Sequence, residues 1–245
     1  MGIMTLISSD ASLIMQIIIA VLCGAFLCLD RIAFQTMVSR PIIMATAVAW
    51  IMGNPLAGIL IGALLELFWL DKLPLGTYTP PNDSLVAILT AITATVLIKE
   101  MGHLSSPQAI IAFSLLVYIP VGWFAPKAEY IWKNFNERFS DKLLTELDSS
   151  QEQFSQIRVF PSLLRYFFYS LALIITGLGV GLLLIPFLFF LLPSFGHTAL
   201  TLTYYLFPLI GIAATITTTQ NKKVLLYFSG IFILAALLHE IKVFI

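Results

Sequence analysis

The chain has 245 residues, of which 59% are hydrophobic and 11% are charged, and its mean hydropathy is +0.97. This composition excludes a soluble globular domain and indicates an integral membrane protein, whose solvent is the lipid bilayer. The formal net charge is zero, so the sequence gives no support for a nucleic-acid partner. Apolar runs recur from end to end. We expect an all-α polytopic membrane protein with about seven to eight transmembrane or re-entrant helices.

The first apolar run, LIMQIIIAVLCGAFLCL, is long enough for one helical crossing. No Lys or Arg precedes it and no small-residue cleavage site follows it, which favours a retained span over a cleaved signal peptide. The run contains Cys23 and Cys28 at a spacing that fits neither a CxxC pair nor a metal site. We expect both to be small apolar packing residues.

A polar cluster, LDRIAFQTMVSRP, follows this span directly. Pro41 suits the first turn of a helix, and Ser39 is a candidate N-cap for that helix. Asp30 and Gln35 precede them, and Arg40 lies between Ser39 and Pro41. Together with Pro41, these polar residues either shape a pathway on the cytoplasmic side or serve as ordinary interfacial anchors of a helix end.

The next apolar run is interrupted by Gly53, Asn54 and Pro55 after about a dozen residues, which is short for a crossing. Pro removes a backbone donor, and Asn-Pro favours a turn. The arms Ile42 to Met52 and Leu56 to Leu70 are therefore two short spans or a re-entrant hairpin. Both alternatives return the chain to the same side, and broken segments of this kind are found at transporter binding sites.

Glu66 lies on the second arm, within LIGALLELFWL. A charge at bilayer depth costs roughly 2.5 to 3.5 kcal/mol, so we expect this carboxylate to face the interior and bind substrate hydroxyls. The alternative is a carboxylate near the interface that pairs with Arg40 or Lys72.

The loop LPLGTYTPPNDS follows, with two stiffening prolines and Gly76, which permits unusual backbone dihedrals. Asn82, Asp83 and Ser84 can cap the next helix, and capping alone would explain Asp83 or Ser84. A rigid polar loop also suits a polyol, because each buried hydroxyl without a partner costs about 1 to 3 kcal/mol. Gly76, Asn82 and Asp83 are therefore candidate substrate-binding residues.

The one long polar segment spans residues 125–165 and contains six of the 13 Lys and Arg residues. Aromatic residues and Leu recur in it at three- and four-residue spacing, which predicts amphipathic helices on the membrane surface or against a partner. A solvated connector is the alternative. With this connector in the cytoplasm, eleven Lys and Arg residues fall inside, and only Lys99 and Lys242 fall outside.

No sequence pattern indicates catalysis, a metal site or a cofactor. His103, His197 and His239 are scattered, and neither HExxH nor GxSxG is present. Nucleotide-binding loops of the Walker and GxGxxG types are also missing from the sequence. We therefore expect no catalytic residue, metal or cofactor of its own, and an intramembrane enzyme is disfavoured.

The order LD, Gln35, SRP, GILIGALLEL, LPLG and PPND resembles the IIC subunits of the mannose/fructose/sorbose family of the bacterial phosphotransferase system. The similarity is strongest from Leu13 to Leu97, and the long connector followed by further spans also fits. It implies a single IIC domain over residues 1–245, with N-terminal helices at 13–124, a connector at 125–165 and C-terminal helices at 166–245.

The resemblance implies a multi-pass protein of the bacterial inner membrane that translocates a hexose-type sugar with a IID membrane subunit, in a trimeric assembly. Cytoplasmic IIA and IIB proteins would pass a phosphoryl group to the sugar. Glu66 would be the binding carboxylate, with Asn82 and Asp83 as polar loop ligands. However, PPND has Asn82 where relatives often have an acid, and the second half is unusually aromatic. The alternative is thus a non-transporting scaffold or sensor for phosphotransferase components.

Overall fold

The computed structural model describes residues 11–33, 35–70, 80–102, 105–146 and 154–218, without the side chains of 137–146, 154–160 and 215–218. These ranges contain seven α-helices and no strand. A short 3-10 helix, Cys28–Arg31, follows the first of them. The helices are α1 (Ala11–Leu27), α2 (Pro41–Ile51), α3 (Pro55–Phe68), α4 (Asp83–Met101), α5 (Pro107–Glu146), α6 (Phe154–Leu191) and α7 (Ser194–Thr218).

Five of these helices, α1 and α4 to α7, are long and apolar enough to cross a membrane, and α2 and α3 are shorter apolar helices. The predicted all-α polytopic membrane fold is confirmed. In the apolar part of α4, 83% of the residues are buried, compared with 17% in α7 and 28% in α6. Helix α4 is therefore the centre of the bundle, and it packs against α2, α3, α5 and α6.

The predicted break in the second apolar run is confirmed as a tight turn between α2 and α3. Gly53 has a φ of +80°, a conformation that glycine adopts without a steric penalty. Asn54 caps α3 by accepting a hydrogen bond from the Ala57 N–H, and Pro55 occupies the first turn. At 1.5 Å per residue, α2 and α3 are only about 16 and 21 Å long.

Two glycines let α2 and α3 pack closely as an antiparallel hairpin. A Cβ on Gly58 would lie 2.5 Å from the carbonyl oxygen of Ala45, and one on Gly62 would lie 2.9 Å from that of Pro41. At the tip, a Cβ on Gly53 would lie 4.0 Å from the Lys99 amine, near the C-terminal end of α4. The hairpin therefore extends along most of α4 and returns the chain to the end at which it began.

The segment predicted as a connector, residues 125–165, is not a separate element where the structure describes it. Its first part continues α5 without a break through Glu146, and its last part begins α6 at Phe154. The prolines inside these helices are tolerated because neighbouring groups in a bundle can satisfy the freed carbonyls. Trp132 of α5 packs on Tyr166 and Tyr169 of α6, with ring centroids 5.0 and 5.5 Å apart.

The two cysteines follow the packing prediction in part. Cys28 is buried in the core, Cys23 is partly buried, and neither is in a disulfide.

Candidate functional site

A cavity of about 670 Å³ opens at the end of the bundle where α1 ends and α4 begins. Its wall comes from the loop between α1 and α2, the C-terminal part of α3, the N-terminal end of α4 and the middle of α5. Seven charged side chains line the cavity, namely Asp30, Arg31, Arg40, Glu66, Asp83, Glu129 and Lys133. This density of charge at the end of an apolar bundle marks the cavity as the candidate site.

Asp30 organises the loop between α1 and α2. Its Oδ1 accepts hydrogen bonds from the Thr36 N–H at 2.8 Å and from the Thr36 hydroxyl at 2.5 Å, and its Oδ2 accepts one from the Ser39 N–H at 2.9 Å. The loop also includes two left-handed residues, Gln35 with φ 51° and Met37 with φ 64°. Because Asp30 is only 4% exposed and both oxygens are engaged, its carboxylate shapes the wall and is not free for a ligand.

Arg31 joins three segments of the wall. Its Nη1 donates to Asp83 Oδ1 at 3.0 Å, and its Nε lies 3.8 Å from Glu129 Oε1 on α5. Glu129 also accepts a hydrogen bond from the Tyr166 hydroxyl at 3.5 Å. Arg31 therefore holds the start of α4 against α5 while leaving the Asp83 side chain 27% exposed.

A second ion pair lies on the hairpin side of the cavity. Arg40 Nη1 donates to Glu66 Oε2 at 3.3 Å, and these side chains are 47% and 25% exposed. The sequence left two alternatives for Glu66, an inward-facing carboxylate or one near the interface that pairs with Arg40 or Lys72. In the structure Glu66 pairs with Arg40 and both side chains line the cavity, so the ion pair does not prevent Glu66 from facing the cavity.

The predicted N-cap at Ser39 is wrong. Arg40 occupies the N-cap position of α2 with extended backbone, because Pro41 in the first turn disfavours the helical conformation in the residue before it. Ser39 instead presents its carbonyl oxygen to the hydroxyl of Ser84, at 2.5 Å. This bond ties the entry of the hairpin to the first turn of α4.

The predicted loop residues separate in the structure. Asp83 lines the cavity, but Asn82 does not. Asn82 is 6% exposed and caps α4, because its Oδ1 accepts from the Leu85 N–H at 3.0 Å and its own N–H donates to the Gly122 carbonyl. Gly76 lies outside the described residues. Among the pathway residues, Asp30, Gln35, Arg40 and Pro41 all line the cavity.

Sequence reasoning did not identify Arg31, Trp69, Glu129 or Lys133 as site residues. Glu129 could have been identified from the sequence. It falls on the same stripe of α5 as Ala125 and Trp132, and this stripe faces the bundle. A carboxylate on an apolar stripe is buried in the bundle and needs an ion-pair or hydrogen-bond partner there. Arg31 is the basic residue in the same cluster as Asp30 that can supply it.

The arrangement can bind an uncharged polar molecule. Arg31–Asp83 and Arg40–Glu66 offer charged donors and acceptors around one space, and the Trp69 side chain adds an apolar surface. Within the described ranges, no group of three side chains is placed to hold a metal ion.

The family model described as the PTS system sorbose-specific IIC component matches residues 14–245. The chain belongs to this family. The membership confirms the predicted resemblance and makes the chain a multi-pass membrane component of a sugar-transporting phosphotransferase system. A comparison with curated proteins found no match.

Two solved structures resemble the chain. One, titled "Structure of membrane protein", has a TM-score of 0.63 at 21% identity and covers 93% of this chain and 87% of its own. It supports the fold. A second, a mannose transporter ManYZ in complex with microcin E492, has a TM-score of 0.42 at 17% identity and covers 92% of this chain and 86% of its own.

Proposed function

We propose that this IIC subunit translocates a hexose-type sugar through the bacterial inner membrane and that a IIB protein phosphorylates the sugar on arrival. The observation that carries the proposal is the juxtaposition of the Arg31–Asp83 and Arg40–Glu66 pairs around one cavity of about 670 Å³. A hexose carries several hydroxyls that both donate and accept hydrogen bonds. Paired arginines and carboxylates satisfy both roles.

The site is suited to orienting a sugar as well as holding it. Glu66 is fixed on one oxygen by Arg40, and Asp83 Oδ1 is held by Arg31 and by the Ser84 N–H. Carboxylates that are already positioned lose little conformational freedom on binding. Trp69 packs edge-on against Phe68, with ring centroids 5.3 Å apart. The Trp69 side chain is therefore a fixed surface for the apolar face of the sugar ring.

The charge distribution supports a cytoplasmic position for the cavity. Arg31, Arg40 and Lys133 meet at this end of the bundle, whereas Lys99 is near the C-terminal end of α4. Basic residues are retained on the cytoplasmic side. A sugar that reaches the cavity would therefore lie close to the compartment in which phosphocarrier proteins act.

The proposed partners are a IID membrane subunit, with which the chain would form an oligomeric sugar path, and the IIA and IIB phosphocarriers. In the transfer, the phosphorus–nitrogen bond of a IIB phosphohistidine breaks, a phosphorus–oxygen bond to the sugar forms, and the hydroxyl proton passes to the imidazole. The added charge prevents return through an apolar path, which makes uptake one-way. The chain itself contributes binding and orientation.

A non-transporting scaffold is the second candidate, and one of the features that suggested it was Asn82 in place of an acid. In the structure Asn82 caps α4 and does not line the cavity, so this residue supplies no argument against a working sugar site. The cavity geometry therefore favours transport.

The test is uptake and phosphorylation of labelled mannose, fructose and sorbose in vesicles containing this chain with its IID and IIB partners. Glu66→Gln should lower the rate about tenfold or more, because a hydrogen bond to a charged group contributes about 1.5 to 3 kcal/mol. Glu100→Gln, the same change near the other end of α4, is the matched control. Full activity of Glu66→Gln would remove Glu66 from the site.

A further inference from the structure

Lys133 lies at the mouth of the cavity and differs from the other cations that line it. It is an exposed residue on α5, four positions after Glu129, so the two side chains lie on one face of the helix with Glu129 buried and Lys133 at the surface. Among the side chains that the structure describes, Lys133 has no carboxylate within 4.0 Å and no hydrogen-bond acceptor.

Both arginines deeper in the cavity are already engaged by carboxylates. Arg31 is shared between Asp83 and Glu129, Arg40 is paired with Glu66, and Asp30 is satisfied by its own loop. A neutral sugar requires no further cation there. The charge of Lys133 therefore remains available for an anion that approaches from outside the bundle.

We propose that Lys133 binds the phosphoryl group that a phosphorylated carrier protein presents to the sugar. This inference rests on the proposed function. A phosphoryl group carries about −1.5 to −2 charges at neutral pH, and lysine is a compact point charge on a flexible stem that can follow the group into the cavity. Lys133 then serves as the phosphoryl-binding residue of a site whose deeper ion pairs bind the sugar.

The experiment uses purified chain with its IID subunit in nanodiscs, ³²P-labelled phospho-IIB as donor, and mannose, fructose and sorbose as acceptors. Lys133→Gln removes the charge, Lys133→Arg keeps it, and Lys127→Gln is the matched control. Lys127 is exposed on the same helix, lies over the Phe124 ring at 5.7 Å and does not line the cavity. Equilibrium binding of the unphosphorylated sugar is measured on each variant.

Lys133→Gln should lower kcat/KM for phospho-IIB about three- to tenfold at low salt, because a charge at the rim of an interface mainly affects the association rate. Its sugar affinity should equal that of the unmodified chain. At about 1 M salt, where the Debye length is about 3 Å, the difference should largely disappear. Lys133→Arg should retain most of the rate.

Three results would overturn the proposal. If Lys133→Gln and Lys127→Gln behave alike while the unmodified chain phosphorylates sugar, then Lys133 has no role in binding the phosphoryl group and the proposed function stands. If Lys133→Gln weakens sugar binding and phosphorylation equally at all salt concentrations, then the residue acts structurally. If the unmodified chain transfers no phosphoryl group to any of the three sugars, the proposed function and this inference both fail.

Discussion

The close packing of the α2–α3 hairpin predicts that two small substitutions have different effects on the site. In Gly58→Ala, the new methyl group would lie 2.5 Å from the Ala45 carbonyl oxygen, which is about 0.9 Å inside the 3.4 Å at which ordinary contact begins. In Gly62→Ala, the methyl group would meet the backbone of Ile42 and the Pro41 carbonyl oxygen. Backbone cannot rotate away, so the helices must separate, at a cost of about 1 to 3 kcal/mol each.

Only the second substitution separates the helices beside the site. Gly62 is one turn before Glu66, and Pro41 and Ile42 directly follow Arg40, so moving them apart lengthens the 3.3 Å ion pair between Arg40 and Glu66. We expect both variants to unfold at lower temperature, by at least about 2 °C. Gly62→Ala alone should also weaken sugar binding.

The assay is a thermal unfolding midpoint of purified protein in detergent, followed by equilibrium sugar binding. Gly179→Ala is the control, because this glycine of α6 is exposed and a Cβ there meets nothing within 4 Å. If Gly62→Ala unfolds at the same temperature as Gly179→Ala, the close approach of α2 and α3 is refuted. If it unfolds earlier but binds sugar normally, the link from hairpin to site is refuted.

Two further predictions concern the caps and the ion pairs. Asn82→Ala should lower the free energy of unfolding by about 0.5 to 2 kcal/mol without changing sugar affinity, whereas Asn82→Asp should preserve both, because Asp also caps a helix; a selective loss of affinity in Asn82→Ala would show a direct contact with sugar. Arg31→Gln should destabilise the protein by on the order of 3 kcal/mol, because Asp83 and Glu129 lose their shared cation. The free energy of unfolding of Arg31→Lys, measured by chemical denaturation, should lie between those of the unmodified chain and Arg31→Gln. Equal stability of all three proteins would contradict the role of Arg31 as the cation shared by Asp83 and Glu129.

Sequence patterns predicted the features that depend on local chemistry. Apolar runs identified the membrane spans, and Gly53, Asn54 and Pro55 located the turn between α2 and α3. The cost of a charge at bilayer depth drew attention to Glu66, and the polar residues around Asp83 suggested a cap and a site. These inferences need only the residue and its neighbours along the chain.

The remaining features depend on packing between distant segments. Asp30 and Arg31 are adjacent, yet one organises its own loop and the other reaches a residue 52 positions away. Asn82 and Asp83 are also adjacent, and only Asp83 faces the cavity. Helices were predicted within 125–165 from its amphipathic spacing, with a solvated connector as the alternative, but the spacing does not show that the first part continues α5 and that the last part begins α6.

The most direct test of the central claim asks whether sugar occupies the cavity between the C-terminal ends of α1 and α3 and the N-terminal end of α4. Met37 lines this cavity and is 65% exposed, so Met37→Cys, in a chain with Cys23→Ala and Cys28→Ala, provides a thiol at the site. Lys127→Cys, on an exposed position outside the cavity, is the control. We predict that saturating mannose, fructose or sorbose slows alkylation of Met37→Cys and leaves that of Lys127→Cys unchanged. Equal alkylation of Met37→Cys with and without every sugar, in protein that takes up one of them, would contradict the assignment of this cavity as the sugar site.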